Sequence, residues 1–179
     1  MPLLPLRVLL LLLCIGAVSA HADDTAYNAG VDAWKRKEYS DALKQWSQAV
    51  LEGNLNAMNN LAYLYFNGLG TEPRVSDAIN LWRVAAYSGH SEAEWHLGTA
   101  YESGTGVEKD VVKAYAWYAC SFQNANRLKA ADATGTEEKI EADAKASLGK
   151  LNLSLSATQL ESATKLAREY IDRYGASAP

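Results

Sequence analysis

A step of 36 residues recurs along this chain and constrains its fold more than any other feature. Ala57, Leu61, Tyr65, Gly68 and Gly70 return as Ala93, Leu97, Tyr101, Gly104 and Gly106. A second set keeps the same step: Ala42, Ala78 and Ala114, then Trp46, Trp82 and Tyr118. Gly53 and Gly89 follow it too, with Ala125 in the third place. A unit this short cannot enclose a core alone, so copies must stack and cover each other's apolar faces.

Each unit reads as two helices. Ala57, Leu61, Leu64 and Tyr65 have the i, i+4, i+7, i+8 spacing of one helical face. Gly68-Leu69-Gly70 ends that helix and Gly104-Thr105-Gly106 ends its copy, since glycine accepts the left-handed backbone of a helix C-cap. Asp110 is placed to N-cap a second helix over 111–122. The earlier copy has Glu72-Pro73-Arg74 there, which leaves Pro73 and Ser76 as alternative starts.

An upstream unit is visible in Ala29-Gly30-x-x-Ala33 and in the run from Tyr39 and Ser40 to Trp46, with a loop four residues shorter. A short, atypical first unit is what a solenoid end looks like. After Asn126 the strict repeat lapses. Residues 130–136 read as a loop around Gly135, and Thr136 leads a helix with Ile140, Ala144, Leu148 and Leu151 on one side. Ser156-Ala157-Thr158-Gln159 is a capping-box pattern opening a helix striped by Leu160, Ala163, Ala167, Tyr170 and Tyr174. This pair is expected to cap the last repeat, with 175–179 a loose tail.

The start of the chain has a different logic. Arg7 precedes an apolar run over 8–18, and Ser19, Ala20, His21 and Ala22 follow. That is the layout of a secretory signal, cut after Ala22 or after Ala20. Eleven apolar residues fall well short of the roughly 20 that span a bilayer. The expected location is therefore periplasmic or secreted. The mature chain would keep 16 Lys and Arg (Arg7 gone from 17) against 21 Asp and Glu, a net charge of −5. An acidic chain without a basic cluster repels phosphate backbones, which argues against nucleic acid. Cleavage also removes Cys14 and leaves Cys120 alone, either a small buried residue or the link of a disulfide-joined dimer.

The run Ala93-x3-Leu97-Gly98-x2-Tyr101-x2-Gly104-x-Gly106-Val107-x2-Asp110-x2-Lys113-Ala114-x2-Trp117-Tyr118 resembles the signature of the Sel-one-like repeats, a branch of the tetratricopeptide superfamily. The unit over 57–89 matches less fully, with Ala62 for the glycine and Arg74 for the aspartate. The first unit is closer to an ordinary tetratricopeptide, and residues 153–167 are similar to the tail of many bacterial members. The resemblance and the period together predict an all-α fold, a right-handed α-solenoid of helix-turn-helix repeats with a C-terminal helical cap. The expected divisions are a signal peptide (1–22), a tetratricopeptide-like unit (23–54), Sel-one-like units (55–90 and 91–126), a helical cap (127–174) and a tail (175–179). The resemblance implies an adaptor or scaffold. A few cysteine-rich members are linked to β-lactam binding, which rests on paired cysteines that the mature chain lacks.

Catalytic patterns are missing from the sequence. There is no Gly-x-Ser-x-Gly, no phosphate-binding Gly-Lys-Ser/Thr and no dinucleotide fingerprint after a strand, so neither catalysis nor a cofactor is expected. His90 and His96 lie six apart, off the i, i+4 spacing of a helical zinc motif, and read as solvated side chains near a helix start. Glu137, Glu138 and Glu141 read as the acidic first turn of a helix.

The candidate site lies on the first helix of each unit, opposite the buried face. Counting 100° per residue, those positions are Tyr27, Val31 and Trp34, then Asn59, Tyr63 and Phe66, then Trp95, Thr99 and Glu102. Five of the nine are aromatic. Aromatic side chains dominate interface energetics at low entropic cost. The expected partner is a protein or peptide, and the chain is expected to be a monomer. Two rival readings remain: a cell-wall hydrolase or β-lactam-binding enzyme, and a self-associating structural subunit.

Overall fold

The computed structural model describes residues 24–175, so the expected signal segment and residues 176–179 lie outside the described residues. Among the described residues there are eight helices and no strand. They are α1 (Thr25–Lys35), α2 (Tyr39–Leu51), α3 (Leu55–Asn67), α4 (Val75–Tyr87), α5 (Ser91–Ser103), α6 (Val111–Leu128), α7 (Thr136–Ser154) and α8 (Ala157–Tyr174). Helices α1–α2, α3–α4 and α5–α6 form hairpins, and each second helix packs on the next first helix. The result is an all-α solenoid.

Local chemistry sets the helix ends. Asn54 caps α3 by accepting from the Ala57 backbone N–H at 2.8 Å. One period later His90 does the same for α5, its Nδ1 accepting from the Ala93 N–H at 3.3 Å. Asp110 caps α6 through the N–H groups of Val112 and Lys113. Neither Pro73 nor Ser76 begins α4: Arg74 is its N-cap, with no side-chain cap bond. Arginine has no acceptor to offer the backbone, and its guanidinium pairs with Asp77 at 2.6 Å. The loop keeps its shape through a backbone bond that repeats in register, Arg74 N–H to Tyr65 C=O (2.7 Å) and Asp110 N–H to Tyr101 C=O (2.9 Å).

The second glycine of each pair joins neighbouring repeats. Gly70 and Gly106 both have positive φ (74° each). A Cβ on Gly106 would stand 2.6 Å from Val75 Cγ1, and one on Gly70 would stand 2.6 Å from the Tyr39 carbonyl carbon. The loop after each first helix thus presses on the start of the preceding second helix, and only glycine leaves room.

The in-register column forms the core, with Trp46 and Trp82 each 2% exposed and Tyr118 1%. The Trp46 ring lies where a Cβ on Gly30 would go, and the Tyr118 ring where one on Gly98 would go. In the middle unit Ala62 carries a methyl at that place, and Trp82 stacks on His96. Its indole N–H finds no acceptor among the described residues.

The C-terminal end departs from expectation at the end of α6. Helix α6 does not stop at Phe122 but runs to Leu128, because its last turns bury Asn124 and Ala125. The two following helices do not stack on each other as another repeat would. Both pack on α6, and α7 also reaches α5. Helix α8 brings Tyr170 and Tyr174 to Trp117, at 4.7 and 5.4 Å between centroids. Helix α7 brings Leu148 and Leu151 to the cluster around Ala114 and Tyr118. The capping box of Ser156 and Gln159 opens α8 as its pattern requires.

Candidate functional site

The first helices of the three hairpins line one side of the stack. A hollow of about 390 Å³ opens there, walled by Tyr27, Val31 and Trp34 of α1, Asn59 and Tyr63 of α3, and Glu92 and His96 of α5. Trp34 meets Tyr63 edge to face (centroids 5.8 Å, planes at 83°), so the two rings make a corner. Tyr63 is 38% exposed, a large ring left open to solvent. Trp46 closes the back of the hollow, its indole N–H donating to the Tyr27 carbonyl at 3.2 Å.

Tyr27, Asn59, Asn60 and Glu92 also wall a second hollow of about 440 Å³, which runs to the 129–135 loop and the start of α7. The two hollows adjoin along these shared residues, and together they are called the groove. Asn59 is 2% exposed and sits on the shared wall. Its Nδ2 donates to Glu92 Oε2 at 2.9 Å, while its Oδ1 has no partner among the described residues. Burial pushes the Glu92 carboxyl above its ordinary value, and the Asn59 hydrogen bond opposes that rise.

Five of the nine expected residues therefore meet in one place: Tyr27, Val31, Trp34, Asn59 and Tyr63. Phe66 and Thr99 wall a crevice of about 110 Å³ on the other side of Tyr63, where Phe66 lies 5.1 Å from Trp82. Trp95 and Glu102 do not face the groove. Trp95 packs on the cluster that α7 completes, beside Leu148 and Leu151. Glu102 accepts from the Tyr118 hydroxyl (2.8 Å) and from Lys150 of α7 (2.5 Å). The physical reason is α7 itself, which packs against Trp95 and pairs with Glu102 but leaves Thr99 open.

The sequence reasoning missed Asn60, Glu92 and His96. Asn60 and His96 are one period apart, as are Asn56 and Glu92, so a second stripe was present in the repeat. It lies one turn nearer the helix start than the stripe chosen and is rotated by about 60°, a phase difference that 100° counting does not resolve. The histidines are half-buried and both have partners. His90 caps α5 while its Nε2 pairs with Asn56 Oδ1 at 3.0 Å. His96 stacks on Trp82 with centroids 4.4 Å apart. Burial lowers both to about 4, so both rings are neutral at neutral pH.

Two other groups are structural. Glu137 does open a helix, and it also accepts from Ser91 Oγ at 2.7 Å, tying α7 to α5. Cys120 is fully buried and burial pushes its thiol up, so it offers neither a nucleophile nor a surface thiol for a linked dimer. No helix among the described residues is long and apolar enough to cross a membrane.

Hairpins stacked in register, with a groove along their first helices, define a helical-repeat protein of the tetratricopeptide-like kind. The Sel1 repeat family model matches residues 55–90 and 91–126, so the chain carries two Sel1 repeats. A comparison with curated proteins finds no match. The fold is similar to the crystal structure of a protective antigen of uropathogenic Escherichia coli that displays an SLR fold. That likeness has TM-score 0.70 and 26% identity, and covers 83% of this chain and 30% of that one. It is also similar to a Sel1 repeat protein from Oxalobacter formigenes, with TM-score 0.59 and 26% identity, covering 79% of this chain and 54% of the other. The chain thus spans about a third and about half of the lengths of these two structures. Sel1 repeats generally serve as protein–protein interaction modules.

Proposed function

We propose that this chain is an exported, non-enzymatic adaptor that holds a segment of a partner protein in the groove along α1, α3 and α5. The partner segment lies in extended form, as grooves between packed elements accept peptides. The observation that carries this reading is the corner of Trp34 and Tyr63, which leaves Tyr63 38% exposed inside a concave, preformed hollow. Exposed aromatic rings in a concavity are the side chains that most often anchor a protein interface. The apolar run over residues 8–18, followed by small residues, supports export to the periplasm or beyond. The buried thiol of Cys120 supports a monomer.

The test is capture of partners from a cell-envelope extract by the mature chain and by Tyr63→Ala. The variant loses the captured protein while its helical circular dichroism and melting temperature stay close to wild type. Undiminished capture by Tyr63→Ala would place the interaction elsewhere.

A further inference from the structure

We propose that the hollow between Trp34, Tyr63 and Glu92 receives a lysine or arginine side chain of the bound partner, the rings holding its stem and the carboxylate its charged end. This rests on the groove reading above and adds the chemistry of what the groove takes. Three observations carry it.

The first is the shape of the acceptor. Glu92 Oε2 is held by Asn59 Nδ2 at 2.9 Å, which fixes the carboxylate at the wall of the hollow. No group among the described residues donates to its other oxygen, Oε1. A fixed carboxylate with a free oxygen at a partly desolvated wall is strongly favoured by an incoming N–H cation.

The second is the ring corner. Trp34 and Tyr63 meet at 83° in the hollow that this carboxylate also lines, with Tyr27 and His96 on its wall too. Aromatic faces attract cations within about 6 Å and also cover the apolar stem of a long side chain. Elsewhere the protein fills such faces itself: Arg74 lies 4.2 Å over the Tyr65 ring and Lys113 5.5 Å from that of Tyr101. Neither Trp34 nor Tyr63 has a cation of this protein over it among the described residues.

The third is charge complementarity along the whole groove. Its two hollows are lined by three carboxylates, Glu92, Asp132 and Glu137, and by no lysine or arginine. The two histidines on its walls are neutral at neutral pH. The lysine that acts on Glu92 from a distance, Lys139, has a side chain 81% exposed and lies 3.7 Å from Asp143. An anionic trough with aromatic corners repels an acidic segment and suits a basic one.

The test uses acetylated, amidated alanine pentapeptides with arginine, lysine, citrulline or glutamate at the centre, added to the mature chain and followed by amide and indole NMR. Arginine and lysine peptides shift the Trp34 indole and the Asn59 side-chain amide to saturation. The citrulline peptide, the same shape without the charge, binds at least roughly ten-fold more weakly, and so does the arginine peptide to Glu92→Gln. Glutamate produces no shift. Equal binding of citrulline and arginine, an unchanged affinity in Glu92→Gln, or no saturable shift with either cationic peptide at millimolar concentration overturns the proposal. If Tyr63→Ala still abolishes capture while the cationic peptides fail, the groove stands and only its cation preference falls. If the peptides bind and Tyr63→Ala captures normally, the hollow is a cation site apart from the protein interface.

Discussion

Trp82 of α4 and His96 of α5 stack face to face, with centroids 4.4 Å apart and planes 17° from parallel, across the seam between two repeats. The same imidazole lies 6.1 Å from Tyr63, so one side chain joins the core column to the groove wall. A ring in that position keeps the groove's geometry coupled to the packing of the stack, and it stays neutral because the site is desolvated.

That neutrality makes stability depend on acid. Below 6.5 an unfolded histidine takes up a proton, whereas folded His96 and His90 do not until about 4. Their contribution is complete above 6.5 and is lost as pH falls from 6.5 towards 4. His96→Phe keeps a ring against Trp82 and deletes the titration. Urea unfolding at a series of pH values is expected to show the variant gaining on wild type only below pH 6.5, with a constant difference above it. His90→Asn, which copies the Asn54 cap one repeat earlier, is expected to behave likewise.

Glu94 has the opposite sign. It is fully buried on α5, where Asn124 Nδ2 donates to both its oxygens at 2.9 and 3.0 Å, and burial raises its pKa well above 4.5. The folded carboxyl keeps a proton that the unfolded one releases, so stability falls as pH rises past 4.5. In Glu94→Gln this loss is expected to vanish. A pH dependence identical to wild type above 4.5 would show that the group is not the source.

Trp95 and Tyr63 were expected to do the same job, yet they sit on opposite sides of the fold's economy. Trp95→Ala removes a ring packed beside Leu148 and Leu151 and is expected to cost about 3 kcal/mol in chemical denaturation. Tyr63→Ala removes a ring 38% exposed and is expected to cost about 1 kcal/mol or less. Equal losses in the two variants would mean that Tyr63 is core.

Gly106→Ala places a methyl 2.6 Å from Val75 Cγ1 at a backbone φ of 74°. Strain and overlap together are expected to cost about 2 kcal/mol or more. The loss should be relieved in part by shortening Val75 to alanine, and a double-mutant cycle measures that coupling. Additive losses would break the assigned contact between the loop and α4.

The period at Ala57, Leu61, Tyr65 and Gly68 and the column of Trp46, Trp82 and Tyr118 determined the helix pairs, their order and the way they stack. These are local and nearest-neighbour properties, written in each unit and confirmed by its copy. The capping residues Asp110 and Ser156 were legible for the same reason, because a cap acts within one turn of itself. What only the tertiary structure decided was which helix faces stayed open. Helix α7 folds back from a loop outside the repeat, covers Trp95 and binds Glu102 through Lys150, a contact across 48 residues that no period announces. The groove wall depends on how much each hairpin turns relative to the last, and an angle summed over the stack brought Glu92 and His96 beside Trp34 and Tyr63.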